Sequence, residues 1–344
     1  MNVLPRPAVS VLLPVGGPRS STAQAVRSVL DQSLADLEVL VIGHDDVDAL
    51  VERLASDARV RAIARQAPGI VGALNTGLRA ARGRFVARMD DDDVAYPERL
   101  ARQLAHLQAM PTPGLVGARI RLIDEHGEPD GVGAGSQRYA RWLNALVDPA
   151  AVRENCFVEN PLPHPTWFAE RALFERLGGY REGDFPEDHD FLLRAWQLGV
   201  PMSKPAEVLL DWREHPGRLT RTDPRYRQEA FIRMKARTAA SPLSGLGLDA
   251  GRGVWIAGVG RSARRWCDAL VDERVEVLGF VDLDGPQRRQ RKRHREVIDY
   301  TRLKRCRGDA LLLCAVTQPM ARAAVRNWCV EQALVHGRDY LIGD

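Results

Sequence analysis

Short apolar runs alternate with helical segments through the first 110 residues, and this alternation limits the fold more than any other feature of the chain. Val9–Pro14, Glu38–Ile42, Val60–Ala64 and Arg84–Met89 are strand-like runs, with helical patterns between them at 21–30, 49–55 and 69–81. Strands joined through helices run parallel, and a parallel sheet must be covered on both faces. The expectation is an α/β fold with a mostly parallel central sheet. Gly83 is expected to close the 69–81 helix as a C-cap. Further on, Pro97–Met110 reads as an amphipathic helix and Leu115–Ile123 as one more strand. Residues 124–165 read as loops, and helices are expected at 171–177, 190–198 and 224–239.

The Gly- and Ser-rich stretch 241–253 reads as a linker. A second α/β pattern follows, with strands at 254–257, 275–281 and 310–316. Three parts are therefore expected: 1–240, the linker 241–253, and a smaller Rossmann-like domain over 254–344. A length of 344 residues suits two domains. The formal charge of +4 is too balanced to point to nucleic acid. Residues 250–344 nevertheless hold 18 Lys and Arg against 12 Asp and Glu. No run reaches the ~18–20 apolar residues of a bilayer span, and the N-terminus lacks a signal-peptide pattern. Five scattered cysteines without a Cys-x-x-Cys pair suit free thiols in a reducing cytosol.

Chemistry concentrates first where the strand at 84–89 runs into Asp90, Asp91, Asp92 and Asp93. Ligands of open α/β sheets bind beyond the carboxyl ends of strands. Adjacent carboxylates repel, and an oxygen-seeking Mg²⁺ or Mn²⁺ offsets that repulsion. The alternative is a solvated acidic loop that caps the helix at Pro97. The second concentration is Pro186-Glu187-Asp188-His189-Asp190, just ahead of a helix. A carboxylate there either caps the helix or takes a proton from an attacking hydroxyl.

Six motifs in order give the chain a family likeness over residues 8–220. They are Val9-Ser-Val-Leu-Leu-Pro-Val15; the Gly69, Asn75, Gly77, Gly83 spacing; and Ala87-Arg-Met-Asp90-Asp-Asp92-Asp93. The others are Asn160-Pro-Leu-Pro-His164-Pro-Thr166 with Leu177-Gly-Gly-Tyr180; Pro186-Glu-Asp188-His-Asp190; and Trp212-Arg-Glu-His215-Pro-Gly217. The set resembles family-2 glycosyltransferases of the GT-A fold.

The resemblance implies inverting transfer of a sugar from a nucleotide-diphospho-sugar to a hydroxyl of a glycan or lipid-linked acceptor. It implies that Asp92 binds the metal, that Asp90 holds the ribose or the metal, and that Asp188 is the general base. His215 is implied as a metal or diphosphate ligand, and its alternative is a surface loop histidine. Pro14 and Val15 would line the base pocket, with Asn75 and Asp91 also at the nucleotide sugar. His164, Thr166 and Glu187 are candidates near sugar or acceptor; for His164 and Thr166 a structural loop role is the alternative. Relatives usually carry Asp-Asp-Gly-Ser after the second strand. Here Gly43-His44-Asp45-Asp46 stands there, with Asp45 a candidate to read the base from a shifted position.

In the last part, Gly258-x-Gly260-x-x-Ala263 follows a strand and opens a helix, with Asp282 ending the next strand. Gly258, Gly260 and Arg261 form a candidate phosphate site, against a structural glycine turn. The basic run 288–295 is either a solvated loop or a contact with anionic membrane lipid. No interleaved aromatics support nucleic-acid binding, and none is expected. The expected location is cytoplasmic, peripheral on the inner membrane face if the basic run docks there. Two other functions stay open: an NAD(P)-dependent oxidoreductase acting through the last part, and a non-catalytic sugar-nucleotide-binding scaffold.

Overall fold

The computed structural model describes residues 6–16, 20–44, 47–54, 57–282 and 291–343. The chain divides into two compact units. The first comprises residues 1–153, 161–182 and 200–222; the second comprises 154–160, 183–199 and 223–344.

The first unit carries β1 (Val9–Pro14), β2 (Leu37–Gly43), β3 (Val60–Ala64), β4 (Phe85–Arg88), β5 (Val94–Ala95), β6 (Leu115–Val116), β7 (Arg119–Ile123), β8 (Phe168–Glu170), β9 (Met202–Ser203) and β10 (Val208–Arg213). Seven of these form one sheet in the order β3-β2-β1-β4-β8-β6-β9. β1, β2, β3 and β4 run parallel, and β8 is antiparallel to β4 and to β6. β1 and β2 are buried along their whole length, as their unbroken apolar runs require. This is the mostly parallel α/β sheet expected from the sequence. The other three strands form a small sheet, β5-β10-β7.

Several local expectations change. The stretch 124–165, read as loops, holds helices Ala134–Ala145 and Pro149–Asn155. Helix Gly69–Ala80 ends with Ala81 in extended backbone, so Gly83 is not its C-cap. Gly83 instead lies against β1, where a Cβ would meet Ser10 N at 2.6 Å. Its N–H donates to Ser10 Oγ, which in turn donates to buried Glu38. The single strand expected over 115–123 is two strands, β6 and β7, in different sheets. The chain leaves one ladder for the other at Gly117 and Ala118, where Ala118 N donates to Thr166 Oγ1 instead.

Arg99 fixes the end of β4. It is buried, and its guanidinium donates to the carbonyls of Arg88 and Pro165 and to Gln103 Oε1. Burial lowers its pKa to about 10, so it stays charged at neutral pH and satisfied by these acceptors.

The second unit is built on β11 (Val254–Ala257), β12 (Val277–Val281), β13 (Arg291–Lys292), β14 (Arg295–Ile298), β15 (Leu311–Cys314) and β16 (Tyr340–Ile342). Their order is β13-β14-β12-β11-β15-β16, parallel except for β13. This is the Rossmann-like sheet expected after residue 254. The same unit contains helices Glu187–Gln197 and Gln228–Ala240. Within 241–253, a 3₁₀ turn at Pro242–Ser244 leads to Leu246 and Leu248, both buried. The basic run is not a plain loop where it is described. Residues 291–298 form a hairpin whose two turn residues, Arg293 and His294, have positive φ. Arg288 and Arg289 lie outside the described residues. Of the free cysteines four are buried, and Cys306 alone is exposed.

Candidate functional site

The first site grows from the carboxyl end of β4. Met89 N donates to Leu12 O, which keeps the chain on β1 for one more residue before the four aspartates turn away. The turn brings carboxylate oxygens of Asp90, Asp92 and Asp93 within 4.8 Å of one another. His215 follows β10, and its Nε2 lies 2.9 Å from Asp92 Oδ2. Asp92 and His215, separated by 122 residues of chain, are thus in contact. Asp91 is buried beside them.

The loop does not cap the following helix. That helix begins at Arg99 with no side-chain cap. Asp93 turns inward instead, and its Oδ1 accepts the backbone N–H of Arg213 at 2.8 Å. Its other oxygen is buried with no hydrogen-bond partner among the described residues. Burial, then the charges of Asp90 and Asp92, push the Asp93 carboxyl well above the usual range. A divalent cation suits this donor set. It would take hard oxygen ligands, engage an orphaned buried oxygen and offset three crowded charges.

Three residues that sequence reasoning passed over hold the cluster. Arg213 Nε donates to Asp92 O at 2.7 Å, while its Nη1 donates to the carbonyls of Asp124 and Glu125. One buried guanidinium thereby ties the acidic loop to the loop after β7. Arg88, buried on β4, pairs with Asp90. Asp93 is the one member of the tetrad to which the resemblance gave no role of its own. Only its contact with β10, remote in sequence, distinguishes it.

The other candidates of this unit have defined places. Pro14 ends β1, and Val15 N donates to Ile42 O, so both sit at the carboxyl edge of the sheet. Asn75 makes a two-way amide pair with the backbone of Tyr180, at 2.8 and 2.9 Å. That pair needs Gly179, which has φ +70° and whose Cβ would meet Asn75 Oδ1 at 2.6 Å. His164 is buried with Nε2 at 2.9 Å from Tyr180 Oη. Burial, helped by the Arg88 charge, holds its pKa well below the ordinary value and keeps it neutral. Thr166 is wholly buried, with Oγ1 donating to Pro163 O and accepting Ala118 N–H. Asp45 lies outside the described residues.

The second site belongs to the other unit. Helix Glu187–Gln197 starts three residues before the expected 190, so Glu187 and Asp188 stand in its first turn and neither is the N-cap. Asp188 is half-buried. Its Oδ2 accepts from Asn160 Nδ2 at 2.9 Å, and its Oδ1 accepts the His189 N–H. Glu187 is 2% exposed and receives the Tyr226 hydroxyl at 2.8 Å. Burial, then the neighbouring Asp188 charge, raise the Glu187 pKa to about 7. Two adjacent carboxyls thus have different environments, which is how a fold separates protonated and ionised roles. Asn160 opens one of the sequence motifs without a role assigned to it, and Tyr226 carried no signal in the sequence beyond its residue type.

The Glu187 shift has a stability consequence. Its folded pKa exceeds its unfolded value, so its contribution is fully present below about pH 4 and lost as pH rises through about 7. Glu187→Gln cannot ionise. It should gain on the wild type by a few kcal/mol at pH 8, order of magnitude only, and match it near pH 4. Thermal melts of both proteins across this range check it, and parallel profiles would count against the shift.

In the C-terminal sheet, Gly258 N donates to Val281 O and Gly260 is the N-cap of helix Arg261–Asp272. Gly258, Gly260 and Arg261 therefore stand together at a strand-to-helix turn, as their spacing suggested.

Residues 10–141 match the model of glycosyl transferase family 2. That stretch resembles a family-2 glycosyltransferase domain. It is similar to the amylovoran biosynthesis glycosyltransferase AmsE of Erwinia amylovora, 30% identical over 142 residues that make up 41% of this chain and 49% of AmsE. The chain thus spans about half the length of that relative. The O-antigen biosynthesis glycosyltransferase WbnJ of Escherichia coli is 27% identical over 200 residues, 56% of this chain and 73% of WbnJ. Among solved structures, S. aureus TarS 1–349 in complex with UDP-GlcNAc aligns with a TM-score of 0.49 at 15% identity, covering 77% of this chain and 80% of that one. The family-2 match contains β1 from its second residue, β2 to β4 and the whole acidic loop.

Proposed function

We propose that this protein is an inverting glycosyltransferase that moves a sugar from a nucleotide-diphospho-sugar to a hydroxyl of a glycan or lipid-linked acceptor. The observation that carries it is the Asp90, Asp92, Asp93 and His215 cluster at the carboxyl edge of the sheet. A divalent cation held there, Mn²⁺ or Mg²⁺, would supply positive charge against the departing nucleoside diphosphate. Asp90 and Asp92 orient the donor end, Arg213 keeps their loop in place, and Pro14, Val15, Asn75 and Asp91 belong to the same donor side. Asp45 is the candidate for reading the base.

Asp188 takes the proton from the acceptor hydroxyl as it attacks the anomeric carbon on the face opposite the diphosphate. Its partial exposure favours it over Glu187, which is shielded and held by Tyr226. His164, Thr166 and Glu187 shape the surroundings of sugar and acceptor. The proposed division keeps transfer in 1–240 and an appended domain after 254, whose turn at Gly258, Gly260 and Arg261 would take a phosphate. The named relatives are glycosyltransferases of amylovoran and O-antigen biosynthesis, which disfavours the oxidoreductase alternative.

The test is a donor screen by thermal shift with manganese present. A ligand at 100 times its dissociation constant adds ~2.7 kcal/mol of stability. One or more nucleotide sugars should raise the melting temperature, and only with metal. A donor that raises the melting temperature yet is not hydrolysed would favour the scaffold alternative, and a flat screen would reject the donor site altogether.

No described helix is long and apolar enough to cross a membrane. We place the protein in the cytoplasm, with the basic run as its contact with anionic lipid. In the described part Arg291 and His294 are exposed, while Arg293 pairs with Asp268 and Arg295 Nε donates to Val277 O. Neutralising Arg288, Arg289, Arg291 and Lys292 should release the protein from acidic vesicles at low salt. The wild type should come off as the Debye length falls from ~10 Å at 0.1 M to ~3 Å at 1 M. Equal pelleting of the two proteins, or none by the wild type, would reject the contact.

A further inference from the structure

Asn160 heads the motif Asn160-Pro-Leu-Pro-His164-Pro-Thr166 and is buried, without a part in the proposed chemistry. Its segment, 154–160, belongs to the same unit as helices Glu187–Gln197 and Gln228–Ala240. Contacts that do not involve the Asn160 side chain anchor that segment. Phe157 is wholly buried and meets Trp196 edge-on, with ring centroids 5.0 Å apart. His189 Nε2 lies 2.7 Å from Cys156 O, and Lys235 Nζ donates to Val158 O at 2.8 Å. A carbonyl only accepts, so Nε2 carries the His189 proton. Burial, then the Lys235 charge, lower the His189 pKa to about 3, and the ring stays neutral.

The chain then leaves helical geometry. Val158 N and Glu159 N both donate to Asn155 O, and Pro161 disfavours a helical backbone at Asn160. Asn160 N donates to Glu159 Oε1 at 2.9 Å. Its Nδ2 donates to Asp188 Oδ2 at 2.9 Å, 28 positions further along the chain. A carboxylate only accepts, so the amide turns its NH₂ and not its oxygen to Asp188.

Because Phe157, His189 and Lys235 already fasten the segment, the effect of this bond falls on Asp188. The His189 N–H holds Asp188 Oδ1 at 2.7 Å and Asn160 holds Oδ2, which fixes the plane of the carboxylate. Donors to a carboxylate also favour its ionised form, the form that can take a proton. The neighbouring Glu187 has a different donor, Tyr226 Oη, at 2.8 Å. Other ionisable groups brought to this turn by the elements of the unit are Glu159, Arg225 of the 3₁₀ turn Pro224–Tyr226, and Lys235 of helix Gln228–Ala240. Arg225 pairs with Asp223 at 2.8 Å. Burial, then the Glu187 and Asp188 charges, keep the Tyr226 hydroxyl protonated.

We infer that Asn160 is the positioning residue of Asp188: its amide sets the rotation of the carboxylate and keeps it ionised for the proton of the attacking hydroxyl. The source of that proton rests on the transferase reading, and the hold on the carboxylate rests on the bond itself.

The experiment follows the Asp188 carboxyl of the full chain against pH by carbon-detected NMR, with the signal identified by its loss in Asp188→Asn. In Asn160→Ala the titration midpoint should rise by about one to two pH units, the size of one hydrogen bond to a charged group. Asn160→Asp keeps the shape but sets a second carboxyl against the first, so the later midpoint of the pair should rise further still. Thermal melts check that both variants are folded. In parallel, hydrolysis of UDP-glucose, UDP-N-acetylglucosamine and GDP-mannose with Mn²⁺ is measured across pH. The acid limb of turnover should move up with the carboxyl in both variants, while donor affinity by calorimetry stays put. An unmoved midpoint in Asn160→Ala, or an Asn160→Asp that titrates like the wild type, overturns the inference and leaves Asn160 a packing residue. A raised midpoint together with undiminished hydrolysis in Asp188→Asn keeps the hold of Asn160 on the carboxylate and rejects Asp188 as the base. Hydrolysis lost in Asp188→Asn with an unmoved midpoint in Asn160→Ala does the reverse.

Discussion

Asp188→Asn should lower turnover by about 10²–10⁴-fold while donor affinity stays near that of the wild type, the loss typical when a general base is removed. The substitution keeps shape and most local bonding. An asparagine Oδ1 can still accept the His189 N–H that Asp188 Oδ1 accepts now. The contact with Asn160 survives through one amide rotamer or the other. What is lost is the capacity to take a proton at neutral pH. Donor binding is the control, because the proposed donor ligands are Asp90, Asp92 and His215. Single-turnover kinetics with calorimetry of the donor separates the two effects. Turnover within a few-fold of the wild type would move the base elsewhere. Glu187 is then the first substitute, with a pKa of about 7 and a hydrogen-bonded Tyr226 beside it.

The parts legible in the sequence are those whose signal is local. β1 and β2 announced themselves because a strand buried on both faces must be apolar without interruption. The acidic loop was legible because four carboxylates directly after such a strand have few structural uses. Helix starts were less legible. Helix Glu187–Gln197 begins after Pro186 with no side-chain cap, so the usual marker of a first turn is missing and Glu187 and Asp188 read as candidate caps.

Long-range partners were not legible at all. Nothing near Arg213 says that its guanidinium reaches Asp92 O, Asp124 O and Glu125 O, because those acceptors are backbone carbonyls that any residue supplies. Gly83 misled for a related reason. A glycine after a helix suggests a left-handed cap, whereas here it allows a backbone approach to Ser10 from another strand. In each case the missing information is which distant chain segment comes within bonding distance.

That same long-range clamp makes the metal prediction sharp. Asp92→Ala should weaken manganese binding by at least about 100-fold, since changes to groups behind the ligands of a metal site already cost 10–100-fold. The substitution removes the carboxylate that His215 Nε2 contacts. It leaves the Asp92 carbonyl, and with it the Arg213 Nε bond that fixes the loop. Asp93 also keeps its bond to Arg213 N. The loop therefore stays in place while its charge falls by one, and the loss reports coordination more than folding. Asp92→Asn separates charge from coordination: it retains one neutral oxygen and should lie between alanine and the wild type. Free manganese is counted directly by electron paramagnetic resonance, independent of any turnover, with a thermal melt of the metal-free proteins as the folding control. Asp92→Ala that binds manganese as tightly as the wild type would remove Asp92 from the ligand set. It would leave Asp90 and Asp93, the two remaining acids within 4.8 Å, as the pair to test next.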